Sequence, residues 1–522
     1  MRWLLILAWL LCSAARALTP EQAGRIADGD TDSRIAALNE AAADGDAALG
    51  PFIDALLEGS VRVAGGRAYV VAGDGGAVEA GSGRAVPLPE GADEPVVNNR
   101  MRRELQAARA ALSLFSSERA ERARAVAALK DEADESRLPL LEKAAAAETD
   151  AALKEQLALL KAGVLIASED PARRLEAAQL LGASGEPAVR SLLLERQRAE
   201  TDAAVKAAIA DSLKRVESRL AWGERLGVLF TGASLGSILL LVALGLAITY
   251  GLMGVINMAH GELMMIGAYA TWLVQNLFRQ HLPGWFDWYV LAAIPAAFLV
   301  SATVGALLER SVIRWLYGRP LETLLATWGI SLVLMQGVRS TFGAQNVAVE
   351  NPSWLSGGVQ VLPNLVLPYN RVGILVFAAL VLAGMALLIG RTRLGLFVRG
   401  VTQNRAMASC MGVHTARVDT YAFALGAGIA GLAGCALAQV GNVGPDLGQS
   451  YIVDSFMVVV LGGVGQLAGT VYAALGLGVL NKLLEGWAGA VLAKIMVLVF
   501  IVIFIQKRPQ GLFALKGRSA EA

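Results

Sequence analysis

Between Leu226 and Phe278 the chain carries a single charged side chain, Glu262. A run this long and apolar fills two bilayer spans of about 20 residues each. Lipid offers no water to an ionised group or an unpaired backbone amide, so such a run must cross as helix. Similar runs follow, and the expected spans are 228–250, 255–277, 288–308, 320–340, 371–390, 419–440, 467–484 and 488–505. A shorter stretch, Tyr451 to Leu461, ends at Gly462-Gly463 and reads as a half-helix or a broken one, giving eight or nine passes. Apolar residues at 55% and a mean hydropathy of +0.51 agree with a polytopic membrane protein and exclude a disordered chain.

The residues before Leu226 have a different character. From Leu18 to Arg225 there are 27 basic and 35 acidic residues, against 17 and 10 from Leu226 to the end. An acidic, water-soluble region is therefore expected at 18–225, ahead of a membrane region at 226–515 and a tail at 516–522. Residues 1–17 combine Arg2, an apolar run from Leu4 to Leu11 and Ala15-Arg16-Ala17, the pattern of a cleaved signal peptide. An uncleaved anchor is the alternative, and either sends the next segment across the membrane.

Helical periodicity marks Ile35–Leu57, Arg102–Leu165 and Pro171–Leu220. Ala147-Glu-Thr-Asp-Ala-Ala-Leu-Lys154 returns as Ala199-Glu-Thr-Asp-Ala-Ala-Val-Lys206, an offset of 52 that also aligns Leu140 with Leu192 and Leu129 with Leu181. This reads as a repeat of helix pairs opened by Thr-Asp caps, loosely resembling a HEAT-like α-solenoid. Such a stack is either a binding surface or a packing spacer. Val61 to Pro89, where Gly alternates with Val, Tyr and Arg, reads as one or two β-hairpins.

Charge in the loops gives the expected orientation. Arg391, Arg393, Arg399, Arg405 and Arg417 precede the first acid, Asp419, and the 309–319 loop adds Arg310, Arg314 and Arg319. The 341–370 loop has no Lys or Arg at all. The positive-inside rule thus puts 391–418 and the tail in the cytoplasm and agrees with an exported N-terminal region.

No Gly-x4-Gly-Lys-Ser/Thr occurs, so the chain has no phosphate loop of its own. Gly462, Gly463, Gly465 and Gly469 sit in an apolar setting and read as helix packing or a bend. Arg391 to Arg417 contains Ala408-x3-Gly412, part of a Glu-Ala-Ala-x3-Gly pattern whose first two positions are Ala406 and Met407 here. Taken alone, this segment also fits a basic amphipathic loop lying on anionic lipid.

Tyr250-Gly-Leu-Met-Gly-Val-Ile-Asn257-Met-Ala-His260-Gly-Glu262 resembles the first signature of the branched-chain amino acid and urea ABC permeases. Gln403-Asn404 to Gly412-Val413 falls where that family has its coupling loop. Val458 to Thr470 and Arg508-Pro509-Gln-Gly511-Leu-Phe513 resemble two further signatures, so the resemblance covers most of 226–515. Asn257 to Glu262 together with the exported region looks most like the urea-type permease. A branched-chain amino acid, or another small amide or amino acid, is the alternative substrate.

The resemblance implies a bacterial inner-membrane importer. Its partners would be a second permease, two cytoplasmic ATPases that bind the ATP, a periplasmic binding protein and membrane lipid, with no nucleic acid. In it Arg405, Ala408 and Gly412 would seat the ATPase, with Ala408 and Gly412 allowing close approach and Arg405 pairing with an acidic rim. Thr249, Tyr250, Asn257, His260 and Glu262 are the candidate substrate path, since polar groups inside a membrane are expensive. Alternatively His260 and Glu262 satisfy each other, or the backbone freed at a break between Gly254 and Gly261. No catalytic set, metal cluster or cofactor motif is expected. The rival classes are a membrane-embedded enzyme, a urea channel and a ligand sensor.

Overall fold

The computed structural model describes residues 18–44, 48–71, 76–89, 91–129 and 138–513, so the expected leader and the 516–522 tail lie outside the described residues. The chain divides into two compact units between Leu220 and Ala221.

The first unit opens with α1 (Pro20–Ala27), whose Thr19 and Gln22 cap each other's backbone amides, followed by α2 (Thr31–Asp44) and α3 (Leu49–Leu57). Strands β1 (Val61–Ala64), β2 (Arg67–Val71), β3 (Ala77–Glu79) and β4 (Ala85–Val86) form one antiparallel meander in sequence order. Its register pairs Val61 with Val70, Tyr69 with Glu79 and Ala77 with Val86. Leu38, Leu49, Ile53, Val61, Ala68, Met101 and Leu105 close one core between helices and sheet.

The helices continue with α4 (Asn99–Ser113), α5 (Arg119–Ala128), α6 (Leu138–Ala147), α7 (Ala151–Leu165), α8 (Pro171–Leu181) and α9 (Pro187–Ala199), and then α10 (Ala203–Met253), within which the unit boundary falls. The 52-residue offset is visible at atomic level. Arg122 forks onto Glu148 at 2.8 and 3.0 Å, and Arg174 onto Glu200 at the same two distances. Each Arg also donates to a Ser carbonyl six residues before it, Ser116 or Ser168. Each Glu accepts from the next two backbone amides, and Asp150 and Asp202 cap the helices that follow. One period carries three helices, α5–α7 and then α8, α9 and the start of α10, instead of the expected pairs. After the preceding helices, Ser116 and Ser168 Oγ accept the N–H two residues on in side-chain turns, and Pro171 announces only the second of them.

The second unit holds the rest of α10 and then α11 (His260–His281), α12 (Tyr289–Ser311), α13 (Pro320–Phe342), the hairpin β5 (Gly358–Leu362) and β6 (Leu365–Pro368), and α14 (Tyr369–Arg391). The short helices α15 (Arg393–Gln403) and α16 (Arg405–Cys410) lead to α17 (Thr415–Ala438), α18 (Leu447–Gly462), α19 (Leu467–Ala488) and α20 (Ala490–Lys507). Seven of the described helices are long and apolar enough to cross a membrane; α11 and the 16-residue α18 pack among them. The second expected span is a helix that starts at His260 instead of 255, and it is not among the seven, against the eight or nine passes expected. The β5–β6 hairpin is not among the expected elements, although two short runs rich in Val and Leu flank the turn residues Pro363-Asn364.

At the centre is α17, buried along nearly its whole length. Small residues allow this. A side chain at Gly434 would meet the Met264 carbonyl of α11 at 2.0 Å, and Gly431 lies against Ala297 and Ser301 of α12. In lipid, such backbone contact replaces the hydrophobic drive that packs helices in water.

Candidate functional site: a helix break inside the membrane unit

Helix α10 stops at Met253 because Gly254 takes φ +63°, a conformation side-chain-bearing residues rarely adopt. Residues 254–259 then turn back along α10. The His260 ring Nε2 lies 3.2 Å from the Val242 carbonyl, and Val242 stands eleven residues, about 16 Å, up α10 from Met253. The α11 N-terminus therefore opens part-way along its neighbour, and not at the end of the helical layer.

Two hydroxyls of α13, one turn apart, hold the break. Thr327 Oγ1 accepts the Met258 N–H at 3.1 Å and sits 3.3 Å from the Ile256 carbonyl. Ser331 donates to Glu262 Oε1 at 2.9 Å. Asn257 Oδ1 accepts the Ala259 N–H at 3.0 Å and so folds over the start of α11. From the far side, α18 arrives end-on: a side chain at Gly261 would lie 2.4 Å from the Gly448 carbonyl, so the second residues of the two helices touch.

Of the five candidate path residues, this geometry gathers three. Asn257, His260 and Glu262 are all buried, and each keeps one polar atom without a partner among the described residues: Nδ2, Nδ1 and Oε2. The Val242 carbonyl can only accept, so the proton of His260 is on Nε2 and its open Nδ1 is an acceptor. His260 and Glu262 do not satisfy each other, since one bonds to α10 and the other to α13. Thr249 is buried but its hydroxyl bonds back to Gly245 and Leu246 of its own helix. Tyr250 is half-buried against Phe456, with ring centres 6.2 Å apart. Ser331, Thr327 and the unpartnered Ser455 were not expected; a Thr and a Ser four residues apart in an apolar helix were the available signal. A buried polar atom without a partner is rare, and three around one helix start offer a donor and two acceptors to a small polar solute.

At the end of the unit holding α15 and α16, the coupling candidates have local jobs. Ala408 packs inward with Val401 and Val418 instead of outward. Gly412, at φ +83°, closes α16: its N–H donates to the Ser409 carbonyl and that of Val413 to Ala408, the pattern that ends helices with a glycine. Arg405 is ion-paired with Asp419 of its own chain, so the expected rim contact would compete with an internal one. The large exposed apolar side chains here are Met407 of α16 and Met411 at its C-cap. Gly462 and Gly469 touch across the turn between α18 and α19, where Gly463 and Gly465 have positive φ, so this set makes a tight bend. Among the described residues no group of His, Cys, Asp or Glu is arranged to hold a metal ion.

The family described as "Branched-chain amino acid transport system / permease component" matches residues 228–505. The chain belongs to this family. It is 29% identical over 290 residues to the high-affinity branched-chain amino acid transport system permease protein BraD of Pseudomonas aeruginosa, covering 54% of this chain and 94% of BraD. It is 28% identical to the permease protein LivH of Escherichia coli, with 54% and 94% covered. It is also 28% identical to the permease protein LivM of the same organism, with 54% and 68% covered. No solved structure matches. The break, α15–α17 and the α18–α19 bend all lie within the permease match, and the first unit lies outside it.

Proposed function

We propose that this chain is a permease subunit of an ATP-driven importer of branched-chain amino acids. The observation that carries the reading is the family match over the whole helical layer, with relatives named as branched-chain amino acid permeases. Those names favour the amino-acid alternative over the urea expectation. Asn257, His260 and Glu262 form the polar point of the substrate path, and α15–α16, with Met407 and Met411 outward, seats an ATPase. Matches to both LivH and LivM support a second permease as partner. Two ATPases and a binding protein complete the complex, in an inner membrane with 391–418 cytoplasmic and the 18–220 unit outside.

Urea remains the second reading, on one observation: the chain has a 200-residue-scale helical unit that the permease match does not cover. The test is uptake of labelled leucine, isoleucine, valine and urea by cells with and without the gene. Loss of the three amino acids alone supports the first reading. Loss of urea alone replaces it with the second, and ATP-independent uptake of either overturns both.

A further inference from the structure

Glu309, at the end of α12, and Asp419, in the first turns of α17, are two carboxylates with side chains 0% and 1% exposed. Each is held from a different direction. Thr420 donates to Glu309 Oε2 at 2.6 Å and Tyr317 to Oε1 at 3.1 Å, while Arg314 lies 3.5 Å from Oε2. Asp419 takes Arg405, the first residue of α16, whose guanidinium carbon also stands 5.0 Å from the centre of the Tyr317 ring. Burial and the two carboxylates push the Tyr317 hydroxyl up, so it stays a neutral donor. Thr420 follows Asp419 directly, and Arg314 reaches it at 3.5 Å. One network thus ties α12, the 313–317 turn, α16 and α17.

We propose that Arg405 and Asp419, backed by Glu309 and Tyr317, form a charge clamp that fastens the α15–α16 segment to the end of α17. This rests on the reading above that the segment seats an ATPase. Apart from the Ala408 contact with Val401 and Val418, the clamp is the polar hold on α16. α17 is the helix whose glycines press on α11 and α12. A push on α16 is therefore delivered to the helix that touches the start of the break-bearing α11, instead of being lost in a loose loop. Arg405 and Asp419 are positioning residues, acting through α17. A buried carboxylate whose cation is removed cannot stay as it is, so breaking the pair frees the segment.

Two measurements test this on the full chain and its assembled complex. Trypsin cleavage at Arg391, Arg393, Arg399 and Arg417 in membranes reads the hold on the segment, whatever the chain transports. Arg405→Ala and Asp419→Asn should raise the rate roughly tenfold or more, and the swapped pair, Arg405→Asp with Asp419→Arg, should bring it back toward wild type. In proteoliposomes, Asp419→Asn should keep ATPase co-purification and ATP hydrolysis while solute moved per ATP falls roughly tenfold, recovering in the swap. Unchanged cleavage in both single variants overturns the clamp. Raised cleavage with solute per ATP unchanged overturns its role in coupling, and loss without recovery in the swap does the same. ATP-dependent uptake by the wild-type complex separately judges the functional reading.

Discussion

The two units treat buried polar groups in opposite ways. In the repeat unit the repeated polar groups answer one another: Arg122 and Arg174 fork onto Glu148 and Glu200, which also take two backbone amides each. In the membrane unit the polar groups are few, and three of them at one helix break leave an atom open. Inside a bilayer an unanswered polar group is costly. The close packing of the second unit rests on backbone touching backbone, which the first unit needs at far fewer points.

The largest effect is expected where packing has no slack. Gly434→Leu places a side chain on the Met264 carbonyl, and almost no folded protein should be recovered from the membrane by size exclusion in detergent. Normal recovery would mean that α17 and α11 do not pack as described. Next, Glu262→Ala and Asn257→Ala should nearly abolish uptake at normal protein level. Ser331→Ala removes one hydrogen bond to a carboxylate, worth about 1.5–3 kcal/mol, and should cost roughly tenfold in uptake. If all three transport normally, the break is a structural joint and the contrast between the units fails.

In the first unit the expected changes are in stability and not in transport. The Arg122 fork, aided by the Asp150 amide, holds Glu148 down at about 2, and Arg174 lowers Glu200 in the same way. Groups lowered on folding contribute stability above the usual glutamate range, and it is lost as pH falls from about 4.5 toward 2. Hydrogen exchange followed on the 138–220 amides should show protection falling over that window, and Glu148→Gln should flatten the dependence. The smallest effect is expected for Gly412→Ala, which forces a side chain into a left-handed turn at about 1–2 kcal/mol. It should loosen exchange near α16 and leave the rest unchanged.

Much of this was legible in the residues, for identifiable reasons. A run of apolar residues has one outcome in lipid, so spans emerge to within a few residues, and an offset of 52 survives as identical hydrogen bonds. Periodicity alone does not show where a helix ends on a Ser hydroxyl, hence three helices per period in place of two. The break was foreseeable from Gly254 and Gly261, but its partners were not: Thr327 and Ser331 lie about 70 residues away in sequence, and only the packing of α13 brings them in. The internal partner of Arg405 is hidden for the same reason, since Asp419 sits across a turn that Gly412 creates.

The end-to-end meeting of α11 and α18 at Gly261 and Gly448 has an electrical consequence. Each helix start carries the equivalent of about half a positive charge, from amides that no carbonyl has taken up. Two such ends abutting inside an apolar layer raise the local potential far more than they would in water. Carboxylates stand at both starts: Glu262 in the first turn of α11 and Asp446 just before α18. The joint therefore supplies its own counter-charge, an acidic side chain beside each helix start.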